Sequence, residues 1–260
     1  MTHLYTRKND KLTGLEPKFG IEHHTVKTGA LPTSFDLRIV TNYVPPILDQ
    51  GELGSCVDNE MSNACRFCIG KELDVGLEYQ PSRLFLYWNA RKEDNLPYNE
   101  DTGSSLLGCL KGITTKGVCP ETSWPYIISK YNVCPPTSAF SIAETHAKNF
   151  SYLQIPQNLI SIKQALFAGY PIVIGISVYS SFESQQVAET GNVPIPDTET
   201  EVLLGGHSTS LWSFNDSTQT FAMMNSWGTD WGLKGYCNIP YNYILDPTLC
   251  DSLFQIRYFK

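Results

Sequence analysis

Cys56 stands at the end of the turn Gln50-Gly-Glu-Leu-Gly-Ser-Cys56 and at the start of a helix-like run. A thiol reacts as the thiolate, and with a pKa near 8.5 an isolated cysteine is mostly protonated at neutral pH. At the first position of a helix, the unpaired N–H groups and the dipole favour the anion. Gly54-Ser55 supply the tight entry such a turn needs. A cysteine nucleophile also requires a base to take its proton and a third group to orient that base. Five histidines are available. His3, His23 and His24 lie in a polar amino-terminal segment, and His146 lies among Glu144, Lys148 and Asn149, a solvated context. His207 differs, because Gly205-Gly206 precede it and leave open space beside the ring, as a substrate-binding wall would. Asn225 follows a strand expected to pair with that of His207; its side-chain oxygen can accept from one imidazole N–H and aim the other nitrogen at the sulfur. Trp227 is placed to shield that hydrogen bond from water.

The elements that must position these residues show in the apolar pattern. Val57, Met61, Ala64, Cys65, Cys68 and Ile69 follow helical spacing, predicting a central buried helix over Cys56–Glu72. Asp58 and Glu60 in its first turns suit the dipole and are expected on an exposed face. Further helices are expected over Ser82–Ala90, Ser104–Lys116 and Leu159–Ala168. Ile172–Val178 is a β-branched run typical of a buried strand, followed by strand candidates at His207–Phe214, Thr220–Asn225, Gly235–Ile239 and Phe254–Phe259. Helices in the first half and strands in the second predict an α+β chain with segregated layers. Residues 1–31 carry little periodicity and read as an extended arm. Trp124, Tyr126, Tyr131 and Tyr152 are expected in the core and between layers.

The 260 residues suffice for a full core, with 42% apolar and 17% charged residues. A net charge of -7 and a pI near 5.2, with no Lys/Arg cluster, exclude a general nucleic-acid binder. No apolar run reaches the roughly 18–20 residues of a membrane span. Basic residues near Met1 lack an apolar stretch behind them, so no signal peptide is expected. The expected location is intracellular, or the virion if the source is viral. Eight cysteines are then expected as mostly free thiols, and Cys65-x-x-Cys68, with no second half, reads as two helix-face cysteines rather than a zinc site.

Three blocks, QGELGSC, GGHSTSLW and NSWGTDWGLKGYCNIPY, resemble in order and spacing the papain-like (family C1) cysteine peptidases, and more the bacterial and viral, xylellain-like branch than the animal cathepsins. Cys56 and His207 lie about 150 residues apart, as that family's pair does. The segment KGVCPETSWPY, 116–126, resembles the stretch before the family's second domain. The resemblance covers about residues 32–260. It implies a two-lobed α+β fold, with a helical lobe over about 50–125, a β-sheet or barrel lobe over about 126–260 and a cleft between. It implies a thiol endopeptidase acting on polypeptides through an acyl-enzyme, with no metal or cofactor, and most simply a monomer. Cys56 would be nucleophile, His207 general base and acid, Asn225 the orienting residue, and Gln50 an oxyanion donor beside the Cys56 N–H. Substrate contacts would come from Gly103 and Ser104, in place of a missing Gly-rich stretch, and from Gly206, Ser208 and Trp227. Small Ser208 suggests room for a bulky apolar side chain, that of the residue preceding the one at the cleavage point. Leu53 replaces a cysteine whose disulfide therefore cannot form, and Val57 replaces an aromatic. The arm 1–31 is expected either to lie in the groove as an inhibitory propeptide does or to be a tail. Retention of Gln50, Cys56, His207 and Asn225 together argues against an inactive ligand-binding module; acyl transfer to an amine on the same scaffold stays open.

Overall fold

In the computed structural model, residues 3–19, 30–74, 80–145 and 147–259 are described; His23, His24 and His146 lie outside them. The chain enters a short strand β1 (Ser34–Asp36) and one turn of helix α1 (Leu37–Val40). Helices α2 (Cys56–Leu73), α3 (Arg83–Glu93), α4 (Leu106–Lys116) and α5 (Thr137–Glu144) follow. Strand β2 (Phe150–Gln154), helix α6 (Leu159–Phe167), strand β3 (Ile172–Tyr179) and helix α7 (Gln185–Thr190) lead to the long strand β4 (Leu203–Asn215). The chain closes with β5 (Thr220–Met224), β6 (Tyr236–Pro240), helix α8 (Tyr241–Leu245) and β7 (Cys250–Tyr258).

Helix limits follow from side-chain chemistry. Ser82 and Ser105 cap α3 and α4 by accepting the N–H groups of Phe85 and Gly108 at 3.2 and 2.9 Å. Gly117, at φ +78°, stops α4 in a conformation that favours glycine, and any Cβ there would strike the Ala143 carbonyl. Ser55, ahead of α2, makes no side-chain cap. The Asp58 and Asn59 N–H groups donate to the Ser55 carbonyl at 3.1 and 3.0 Å, so the helix start is closed by backbone alone.

The strands form one antiparallel sheet in the order β2-β7-β3-β4-β5-β6, with β1 also on β4. Among the described residues it is an open sheet and not a barrel. The layers are less segregated than expected. Apolar residues of α2 (Met61, Cys65, Phe67, Ile69) share one core with Val173, Trp212, Phe254 and Ile256 of the sheet. This packing places the start of α2 beside the middle of β4. A second core lies between the sheet and α6 and α8, and a third joins α3, α5, Trp124 and Tyr126. Cys65 and Cys68 are buried in the α2 core, and all eight cysteines are free. Among the described residues no helix is long and apolar enough to cross a membrane, and no three His, Cys, Asp or Glu side chains cluster as a metal site would need.

Candidate active site

Cys56 opens α2, and its buried thiol lies near the backbone N–H groups of Ser208 and Val57, which favour the thiolate. Ser208 is the residue after His207, so the sulfur lies near the strand that carries the imidazole. Burial pushes the thiol up to about 12, while these two N–H groups act the other way. In this covered state the helix start does not make Cys56 anionic, contrary to the expectation, because removal of water outweighs the dipole.

Gln50 is buried next to the turn. Its Oε1 accepts from Ser226 Oγ at 2.8 Å and its Nε2 donates to the Leu53 carbonyl at 3.0 Å, which aligns the amide. The backbone strengthens the link, with Gln50 N–H donating to the Ser226 carbonyl at 2.9 Å. Asp101 holds the turn from the other side, accepting from the Gly54 N–H at 2.8 Å and from the Tyr87 hydroxyl.

His207 is fully buried on β4, and its Nε2 lies 2.8 Å from Asn225 Oδ1. That oxygen also accepts the Ser226 N–H at 2.9 Å, which fixes the amide with its oxygen toward the ring. Trp227 stacks on the imidazole at 5.0 Å and 28°. His207 Nδ1 is buried and has no hydrogen-bond partner among the described residues. Burial lowers the ring to about 4 against the Asn225 hydrogen bond, which raises it. Cys56 and His207 therefore face each other's neighbourhood as a neutral pair.

The amino-terminal segment is the reason that pair is dry. His3, read as part of the polar arm, lies flat on Trp227 at 3.7 Å and 6°, with Nδ1 2.9 Å from Glu183. Tyr5 meets the edges of His207 and Trp227 and donates to the same Glu183 carboxylate. Thr6 bridges to Gly206 in parallel, the Arg7 N–H donates to the Gly206 carbonyl at 3.2 Å, and the Lys8 N–H donates to the Ser104 carbonyl at 3.0 Å. Gly103 runs so close under Thr6 that a Cβ would enter the Thr6 carbonyl. Asp10 ends the stretch in the channel, accepting from the Leu107 N–H at 2.6 Å and from Ser252 Oγ at 2.5 Å, and farther along Lys18 bridges Gln154 of β2 and Phe19 enters the core. Gly103, Ser104, Gly206, Ser208 and Trp227 thus line one channel around Cys56 and His207, and residues 3–10 fill it.

Two expectations on α2 are corrected. Asp58 and Glu60 are fully buried, not on an exposed face, because α2 is covered on all sides. Asp58 Oδ2 accepts from Ser104 Oγ at 3.0 Å and Glu60 Oε2 from Ser210 Oγ at 2.7 Å. Burial raises the two carboxyls to about 7 and about 8. The space beside Ser208, expected to suit an apolar group, borders the guanidinium of Arg7. Neither that residue nor its partner Asp251 stood out in the sequence, since a charge pair 244 positions apart leaves no local pattern.

The chain matches the model of the papain family of cysteine proteases over residues 92–250. It is 37% identical over 242 residues to an uncharacterized peptidase C1-like protein of Acanthamoeba polyphaga mimivirus, covering 89% of this chain and 76% of that one. The chain belongs to the papain family of cysteine proteases. Xylellain, a cysteine protease from Xylella fastidiosa, superposes with a TM-score of 0.88 at 29% identity, over 98% of this chain and 96% of its own. Mouse cathepsin K is 26% identical over 251 residues, spanning 89% of this chain and 68% of that protein. The fold is accordingly papain-like α+β, and the protein is a cysteine-type peptidase related to viral and bacterial members of the papain family.

Proposed function

We propose that the protein is an endopeptidase in which Cys56 attacks the peptide carbonyl and His207 serves as general base and then acid. The observation that carries this reading is the buried His207 ring, whose Nε2 is spent on Asn225 and whose Nδ1 has no partner among the described residues, next to Ser208, whose N–H lies near the Cys56 sulfur. Only Nδ1 is left to take the thiol proton. Attack forms a tetrahedral oxyanion within reach of the Cys56 N–H, at the start of α2, and of the Gln50 amide, which also donates to the Leu53 carbonyl. Collapse expels the amine, protonated by His207, and leaves the acyl group on Cys56. Water, deprotonated by the same ring, then releases the acid and restores the thiol.

In this reading residues 32–260 form the peptidase domain and residues 1–31 an inhibitory arm. The arm keeps the pair neutral and unreactive by excluding water and substrate together. Polypeptides with an accessible extended segment are the substrate class. Activity assays on the full chain with an Arg7→Ala substitution, which weakens arm docking, provide the test. Peptide hydrolysis should rise above that of the unaltered chain. Adding Cys56→Ala or His207→Ala should abolish it, and adding Asn225→Ala should leave a rate about 10- to 100-fold lower, the scale of losing one orienting hydrogen bond to a charged ring. Hydrolysis that survives Cys56→Ala refutes the assignment.

A further inference from the structure

Arg7 is a cation sealed in a site that is not its own. Its side chain is 1% exposed, yet it belongs to the arm, not to the body of the fold. Nη2 alone reaches both Asp251 oxygens, at 2.8 and 2.7 Å, Nη1 lies 3.9 Å from Asp10 and 3.4 Å from the Lys8 carbonyl, and Nε has no hydrogen-bond partner among the described residues. Asp10 and Lys8 leave with the arm; Asp251, on β7, stays. The walls are built for a long side chain. Gly175 on β3 pairs across the sheet with Ser208 on β4 and with Ser252 on β7. A Cβ at Gly175 would overlap the guanidinium, and one at Gly206 would press on the Arg7 stem at 3.4 Å. Gly206 and Ser208 share a strand face, since side chains alternate. The cavity therefore opens beside the residue whose N–H lies near the Cys56 sulfur.

We propose that this cavity is a side-chain specificity pocket for substrate and that Asp251 makes it select a basic residue at the position preceding the cleaved one. The inference rests on the reading of Cys56 as nucleophile and of the arm as an inhibitor. Once the arm departs, an aspartate stands at the end of a glycine-walled slot with its cation removed. A basic side chain restores the charge-assisted contact of one nitrogen with both carboxylate oxygens, and an apolar side chain leaves Asp251, 35% exposed even beside Arg7, without that partner. An arginine in the arm is then understandable on the same terms: it occupies the pocket with a group of the kind that the pocket binds. Because the pocket reads a side chain, the arm's parallel pairing with Gly206 does not restrict the direction in which a substrate lies.

The experiment uses the full chain carrying Arg7→Ala and four peptides that differ only at that position, with Arg, Lys, Leu or Glu. The Arg peptide should exceed the Leu peptide in kcat/KM by about 10- to 100-fold, the range of a charge-assisted hydrogen-bond pair. Asp251→Asn in the same background should erase the preference, and Asp251→Lys should turn it toward Glu. Gly175→Ala, which narrows the slot without altering charge, should depress the Arg and Lys peptides more than a peptide with Ala there. Equal or better cleavage of the Leu peptide, or a basic preference that survives Asp251→Asn, overturns the pocket assignment while leaving the peptidase reading intact. Failure of Arg7→Ala to cleave any peptide instead overturns the underlying reading, and the pocket assignment falls with it.

Discussion

Glu60 sits one turn beyond Cys56, with one carboxylate oxygen on Ser210 of β4 and the other buried with no partner among the described residues. It joins the helix of the thiol to the strand of the imidazole, and burial raises its carboxyl from 4.5 to about 8. The folded chain therefore keeps a proton that the unfolded chain gives up between those pH values. Stability from this group is complete below pH 4.5 and is lost as pH rises toward 8, at up to about 1.4 kcal/mol per pH unit. Glu60→Gln preserves a partner for Ser210 and removes the titration. Thermal unfolding across pH 5 to 9 should show a flatter stability profile for Glu60→Gln, with the gain over the unaltered chain greatest near pH 8. A profile of unchanged slope would show that the carboxyl is already ionised at low pH. Asp58 is the less favourable neighbour, since its charge raises the Cys56 thiol. Both burials were hidden in the sequence: acidic residues in a first helical turn are ordinarily solvated, and only the packing of the α4 start over Asp58 and of β4 over Glu60 makes them interior.

At the level of elements, the long helices and the apolar strands were legible because their periodicity is strong. The expected Cys56–Glu72, Ser104–Lys116 and Leu159–Ala168 correspond to α2, α4 and α6 within two residues at each end. The expected strand at His207 begins earlier, at Leu203, since Gly205-Gly206 mask an extended stretch that pairs with β3. β2 escaped notice because it is a five-residue edge strand with two buried positions. The loops that flank the cleft were harder still, as their shape depends on one carboxylate. Asp101 ties the turn before α2 to the loop before α4 through the Gly54 N–H and the Tyr87 hydroxyl. Asp101→Ala strands both donors, so denaturant unfolding should show a loss of about 1–3 kcal/mol. An unchanged midpoint would mean that water replaces the carboxylate at no cost.

Across the whole molecule, the arm couples the cleft to pH. The identities of Gln50, Cys56, His207 and Asn225 could be read from short motifs, but the route of residues 3–10 could not. That route is set by contacts to residues near positions 54, 104, 206 and 251, which converge only in the fold. With residues 3–10 docked, His207 is lowered from 6.5 to about 4, chiefly by burial and further by His3 and Arg7 of the arm. A depressed histidine contributes full docking strength above pH 6.5 and loses it as pH falls toward 4, because the opened ring binds a proton that the covered ring refuses. Asp10 works in the opposite sense, since burial raises its carboxyl and acid therefore favours its docked state. Asp10→Asn keeps an acceptor for the Leu107 N–H and removes this counterweight. Hydrogen exchange at the Arg7 and Lys8 amides, corrected for intrinsic rates, should show protection falling between pH 6.5 and 4, by at most tenfold per pH unit for one titrating group. The fall should be steeper in Asp10→Asn. In His207→Asn, whose side chain does not titrate in this range, it should disappear, and a protection loss that persists there would place the acid response elsewhere in the arm.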